Sequence, residues 1–307
     1  MKPPFYILHF TFCILLFAGC SNTPNELRVM TFNIWMGGGE SLTETASVIT
    51  KSGADIVGIQ ESTSDNILNR AVEIADSLGL YSYWNGGSTT ILSCYAIVDT
   101  SAAGYGVKIQ LDKKRFVWMF NIHLFYCPYE PYQLGGIAYC GAPALNTPEE
   151  AVASAWKTRG ENVLEIIGDI KTVQKEGFPV FLTGDFNEPS YLDWTERAVQ
   201  AKLCSHAVQW PATKAFTEQA NMQDSYRTVY PDEATNPGHT WTPRPAENEI
   251  LDRIDFVFFG GNVRPVKSEI AGEDSELSDI RFKNYPSDHR AVVSTFKFLK
   301  FGKIVDE

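Results

Sequence analysis

Residues 178–187 read FPVFLTGDFN, an apolar run that stops on Gly184, Asp185, Phe186 and Asn187. The run is too short for a helix, and its side chains are apolar on both alternating faces. It therefore predicts a strand covered on both sides, with a carboxylate and an amide at its tip. The same grammar recurs as LRVMTFNIW (27–35), DIVGIQE (55–61), RFVWMFNIHL (115–124) and RIDFVFF (253–259). Each is a buried strand with a polar side chain at one end: Asn33, Glu61, His123 and Asp255 join Asp185 and Asn187. Polar tips on otherwise apolar strands fall where a shared cleft can form.

Helical spacing separates the runs. Leu42 to Lys51 and Asp65 to Leu78 have it, and Gly53 and Gly79 follow as C-terminal stops. Thr147, Pro148, Glu149 and Glu150 form a helix start, with a hydroxyl cap, a first-turn proline and two acids on the positive end of the dipole. That helix is expected to run to about Lys175, with Gly160 and Gly168 as places to break it. Acid-tipped strands occur in both halves of the chain, so the expected fold is α/β (α+β): a four-layer sandwich of two packed β-sheets flanked by helices.

At the amino end, Lys2 precedes an apolar run from Phe5 to Phe17, then Ala18, Gly19 and Cys20. This is expected to be a signal peptide over residues 1–19. The small residues before Cys20 resemble the bacterial lipobox, which implies lipidation at Cys20, a tether over residues 20–27 and an exported protein held at the cell envelope through that lipid anchor. A single catalytic domain over residues 28–300 follows, expected to be monomeric. Cys94, Cys127, Cys140 and Cys204 have no zinc spacing and are read as structural, with Cys127 and Cys140 close enough in sequence to be bridged. The net charge of −11 disfavours binding a polyanion through a broad basic face. A divalent cation in a cleft can still supply positive potential locally.

Phosphate ester hydrolysis needs a cation on the phosphoryl oxygens, a base for water and an acid for the leaving oxygen. The strand tips carry groups for all three. Asp288 and His289, in SDH, add a carboxylate beside an imidazole. Taken together, FNI with Asn33, IQE with Glu61, NIHL with His123, GDFN with Asp185 and Asn187, RIDFVF with Asp255, and SDH resemble, in order and spacing, the endonuclease/exonuclease/phosphatase superfamily over about residues 28 to 298. That resemblance implies Mg²⁺ or Mn²⁺ at Glu61 with help from Asn33 and Asp288. It implies Asp185 and Asn187 on the phosphate and water, Asp255 orienting the general base His289, and His123 as general acid or phosphoryl clamp.

The departures narrow the branch. Trp35 stands where the AP-endonuclease branch has Asp, and His123 where it has Tyr, so the chain looks closer to the pancreatic-DNase, sphingomyelinase and lipid-phosphatase side. Cys94 replaces an Arg that members commonly carry near Ile91-Leu92-Ser93. The loop FYCPYEPYQLGGIAY (125–139) reads as hanging over the cleft, with Tyr126, Tyr129 and Tyr132 either contacting substrate or packing the loop onto the body, and His239 and Trp241 resemble a family segment at the cleft rim, which implies further substrate contacts. Asp193 is read as a solvated helix cap and Glu273 to Glu276 as a solvated acidic loop. The expected activity is hydrolysis of a phosphodiester or phosphomonoester. A secreted nuclease acting on DNA or RNA, or a non-catalytic binding protein on the same fold, stands as the alternative.

Overall fold

All five runs form strands: Glu26–Asn33, Ile56–Gln60, Phe116–His123, Val180–Asp185 and Asp255–Gly260. The computed structural model describes residues 25–64 and 68–299. The leader, Cys20 and most of the tether lie outside the described residues. At the centre of a seven-stranded sheet Glu26–Asn33 runs parallel to Ile56–Gln60, and it is flanked on its other side by the antiparallel strand Ala291–Phe298. At the centre of a six-stranded sheet Val180–Asp185 runs parallel to Phe116–His123 and antiparallel to Asp255–Gly260. A parallel pair presents both carboxyl-terminal tips at one edge, and an antiparallel neighbour brings its first residue to that same edge. Register makes this concrete, since Asp185 pairs with both His123 and Asp255.

Three apolar layers hold the sandwich. Between the sheets lie side chains such as Val29, Phe181, Phe259 and Phe296, with the Phe181 and Phe296 rings 4.8 Å apart. Helices Leu42–Ser52 and Arg70–Leu78 cover the outer face of the first sheet. Helices Pro148–Gln174 and Pro211–Ala220 cover the second. Towards the cleft the inter-sheet layer turns polar. Buried Asn121 donates to the Ile59 and Thr90 carbonyls and accepts from Gln60 Nε2 at 2.6 Å. Gly58 permits that approach, because a Cβ there would lie 2.0 Å from Thr183 Oγ1.

Several expectations need correction. The second helix starts at Arg70, not Asp65, because Asn69 caps it and Leu68–Asn69 pairs with Thr63–Ser64; residues 65–67 lie outside the described residues. Pro148–Gln174 is one unbroken helix. Its Gly160 is needed for packing, since a Cβ would meet the Trp156 ring at 2.7 Å. Asp193 is not a solvated cap. Its side chain is 11% exposed and grips Arg227 and Arg253, and Thr195 caps the following helix instead. Glu273 ends a strand and pairs with Arg290 at 2.6 Å, so it is not free surface.

Buried Arg159, on the long helix, fixes the aromatic loop from below. It donates to the carbonyls of Phe125 (3.0 Å) and Pro128 (2.7 Å) and to Glu130 Oε2 (2.8 Å). Arg159→Met strands the fully buried Glu130 carboxylate and should cost about 3–5 kcal/mol in urea unfolding. A loss below about 1 kcal/mol would show that the pair does not carry the loop.

Glu188 sits in the same buried cluster, with Oε1 accepting from the Ala212 N–H at 2.6 Å. Burial pushes its carboxyl up to about 8, although Arg159 and that N–H pull the other way. The folded protein therefore holds a proton that the unfolded chain releases above its ordinary value of 4.5. Stability should fall as pH rises through the window from 4.5 to about 8, by up to about 1.4 kcal/mol per pH unit. In Glu188→Gln that slope should flatten in melts recorded from pH 5 to 8. An unchanged slope would assign the pH dependence to another group.

Candidate active site

Asp185 is the hub. Fully buried at the tip of Val180–Asp185, it accepts through Oδ2 from Asn33 Nδ2 at 2.9 Å and through Oδ1 from the Asn187 N–H at 2.9 Å. Two imidazoles flank the same Oδ2, His123 Nε2 at 3.6 Å and His289 Nε2 at 3.7 Å. Asn187 sits at φ 47° and donates its amide to the Leu124 carbonyl. That left-handed turn, which Asn tolerates better than most residues, ends the strand and folds the chain back under the carboxylate.

Glu61 also sits at positive φ, 51°, where a Glu costs about 1–3 kcal/mol that its surroundings must offset. The turn brings its carboxylate back to accept from Asn33 Nδ2 (3.1 Å) and the Met36 N–H (2.7 Å). Asn33 stands between the two carboxylates. Its amide nitrogen is shared between Glu61 and Asp185 and its oxygen accepts from the Trp35 N–H, so it spaces the two carboxylates.

On the other side, His289 Nδ1 is 2.9 Å from Asp255 Oδ2. Burial alone would lower this imidazole, yet the carboxylates of Asp255, Asp185 and Asp288 raise it to about 10. Ser287 locks the turn by donating to the Asn33 carbonyl at 2.7 Å and accepting from the His289 N–H. The Trp241 ring lies 4.9 Å from the imidazole. Asp288 is pushed up to about 6, chiefly by burial and further by Glu61 and Asp185, against the pull of His289. His123 has a weaker partner, Ser88 Oγ at 3.4 Å from Nδ1.

Against known proteins, the model described as "Endonuclease/Exonuclease/phosphatase family" matches residues 30–289, a span that includes every group above. The chain belongs to the endonuclease/exonuclease/phosphatase family. A curated relative, "Uncharacterized protein F14F9.5" of Caenorhabditis elegans, is 29% identical over 322 residues, covering 95% of this chain and 100% of the relative. Among solved structures, TDP2 from C. elegans aligns with TM-score 0.55 and 17% identity over 89% of this chain and 75% of that one. An endonuclease/exonuclease/phosphatase from Beutenbergia cavernae aligns with TM-score 0.54 and 16% identity, over 89% and 72%. D. rerio TDP2 complexed with a single-strand DNA product gives 0.54 and 13%, over 89% and 99%. At these identities the structural likeness speaks for the fold.

Members of the endonuclease/exonuclease/phosphatase family are metal-dependent phosphodiesterases, nucleases and phosphatases. The residues present here fit a divalent cation. Ligand atoms of Asp185, Asp255 and His289 lie within 4.8 Å of one another, close enough to hold one. Asp255 Oδ1 and Asp288 Oδ1 are buried with no hydrogen-bond partner among the described residues. Crowded carboxylates with unspent oxygens suit a hard cation.

Tyr126, Tyr129, Tyr132 and Trp241, the expected substrate contacts, line one cleft beside Asn187 and His289. Sequence reasoning missed Tyr139, which lines the same cleft, although that residue closes the aromatic stretch already singled out. Ser88 and Glu249 left no sequence signal; Glu249 accepts from Tyr132 OH and from Trp241 Nε1. His239, the other expected rim contact, is not among the residues that line this cleft. It lines separate pockets with Trp194, Cys204 and Leu251, and its backbone carbonyl accepts from Arg290, the residue that follows SDH. Cys127 and Cys140 form a disulfide that ties the aromatic loop to itself.

Proposed function

We propose that the protein is an exported, lipid-anchored hydrolase of phosphodiesters that works with Mg²⁺ or Mn²⁺. The observation that carries the reading is one buried carboxylate, Asp185, flanked by two imidazoles at 3.6 and 3.7 Å, of which His289 holds a second carboxylate, Asp255, at 2.9 Å from its Nδ1. Glu61, Asp185 and Asp288 would hold the cation, which neutralises charge on the phosphoryl oxygens when bound. Asp255 and His289 stay with each other, because ligation by both would break their 2.9 Å contact. With Asp185 and Asp288 neutralised by the cation they would hold, two of the carboxylates that keep the imidazole protonated are spent; Asp255 then fixes the tautomer with the proton on Nδ1 and leaves His289 Nε2 to take a proton from water. His123, facing the same oxygen from the other side, gives a proton to the leaving oxygen or steadies the phosphoryl group. The leader over residues 1–19 and Cys20 support export and anchoring.

The test is hydrolysis of bis-p-nitrophenyl phosphate, p-nitrophenyl phosphate, DNA, RNA, sphingomyelin and inositol phosphates, each with Mg²⁺, Mn²⁺ or EDTA. Metal-dependent turnover of a diester is expected. A folded protein that is silent throughout, and whose melting temperature ignores both metals, would leave the binding-protein alternative in its place. Palmitate labelling that persists in Cys20→Ser would remove the anchor from the reading. A nuclease stands second, favoured by the aromatic rings beside His289, which can stack bases, and by the similar fold of the TDP2 that carries a DNA product.

A further inference from the structure

Beside His289 the cleft widens into a pocket of about 140 Å³ walled by Tyr126, Tyr129, Tyr132, Tyr139 and Trp241. The rings do not form a parallel slot. Tyr129 meets Tyr132 at 89° and 4.9 Å, Tyr132 meets Tyr139 at 86° and 5.6 Å, and Tyr126 meets Tyr139 at 66° and 6.5 Å. Parallel rings grip a flat base, whereas rings set at right angles box in a rounded group. Charge argues the same way. The pocket lining contains no Lys or Arg to receive a second phosphate, and its His289 is engaged by Asp255 at 2.9 Å. Behind the rings stand carboxylates: Asp252 accepts from Tyr129 OH at 2.6 Å, and Glu249 accepts from Tyr132 OH. A phenol that donates to a carboxylate has a more electron-rich ring, which strengthens attraction of a cation to its face.

We infer that this pocket takes an alkylated ammonium group on the substrate, so that the substrate class is a zwitterionic phosphodiester and not a polynucleotide. The inference rests on the phosphodiesterase reading of the adjoining site. Its test uses a matched pair on the full-length protein: p-nitrophenyl phosphorylcholine, and its neutral carbon isostere p-nitrophenyl 3,3-dimethylbutyl phosphate. The cation should be preferred in kcat/KM by about tenfold or more. Tyr126→Leu and Tyr139→Leu, at side chains that are partly exposed and therefore tolerant of change, should bring that ratio towards one. Equal rates on the pair, or faster cleavage of single-stranded DNA than of the choline ester, would overturn the proposal.

Calorimetric binding of phosphocholine against 3,3-dimethylbutyl phosphate separates the two readings. A preference for the cation without turnover would sink the phosphodiesterase reading and keep the pocket, whereas no preference would sink the pocket. Two natural sources share this chemistry, and glycerophosphocholine compared with phosphatidylcholine vesicles tells a soluble diester from a lipid headgroup.

Discussion

His289→Gln lowers kcat/KM for bis-p-nitrophenyl phosphate by about two to four orders of magnitude while the melting temperature stays close to that of the parent. Gln is the informative replacement because it can still donate to Asp255, which Ala would leave buried and unpaired beside Asp185. Asp255→Asn tests the same dyad from the other side. The Asp255 carboxylate is a main reason that the imidazole stands at about 10 despite its burial. Removing it lowers the imidazole, so the acid limb of the pH–rate profile should move to lower pH as turnover falls. A His289→Gln protein that keeps more than about a tenth of the activity is outside the range of a lost general base, and His289 would then be structural.

The second large effect is expected on metal binding. A cation that binds only the folded protein stabilises it by about 2.7 kcal/mol at a hundredfold excess over its Kd, which should show as a rise of about 5 °C in melting temperature for a chain of this size. Asp185→Asn and Glu61→Gln should each remove most of that rise and reduce turnover at least a hundredfold. His289→Gln should keep the rise, because the imidazole is assigned to proton transfer and not to ligation. The converse pattern, a rise lost in His289→Gln and kept in Glu61→Gln, would move the cation to the Asp185, Asp255 and His289 group, whose ligand atoms lie within 4.8 Å of one another.

Much of the site was legible because its residues sit at the ends of strands whose own apolar content defines them. Asn33, Glu61, His123, Asp185 and Asp255 each adjoin a run that is buried nearly throughout, so local pattern and chemical tip come as one signal. Residues that act from loops carried no such signal. Ser88 reaches His123 across 35 positions and Glu249 reaches Tyr132 across 117, and nothing in NGGST or in AENEI announces either contact. The segment around His239 was hard to place for a related reason. It is tied by isolated bridges from Trp241 to Asp252 and His289, so the alternation that places side chains along a regular strand does not apply to it.

What the sequence determined by itself was therefore the set of buried strands, the helices between them and the chemical identity of the strand tips, all consequences of short-range periodicity. Which tips meet was decided by tertiary structure alone. Asn33 and Asp185 are 152 residues apart and belong to different sheets, yet they share a 2.9 Å hydrogen bond because the packed sheets turn their tips to one edge. The same holds for Asp193, whose partners Arg227 and Arg253 lie 34 and 60 residues onward. Burial, which turns a carboxylate into a hub, an ion-pair anchor or a proton store as in Glu188, arises only when distant layers close over it.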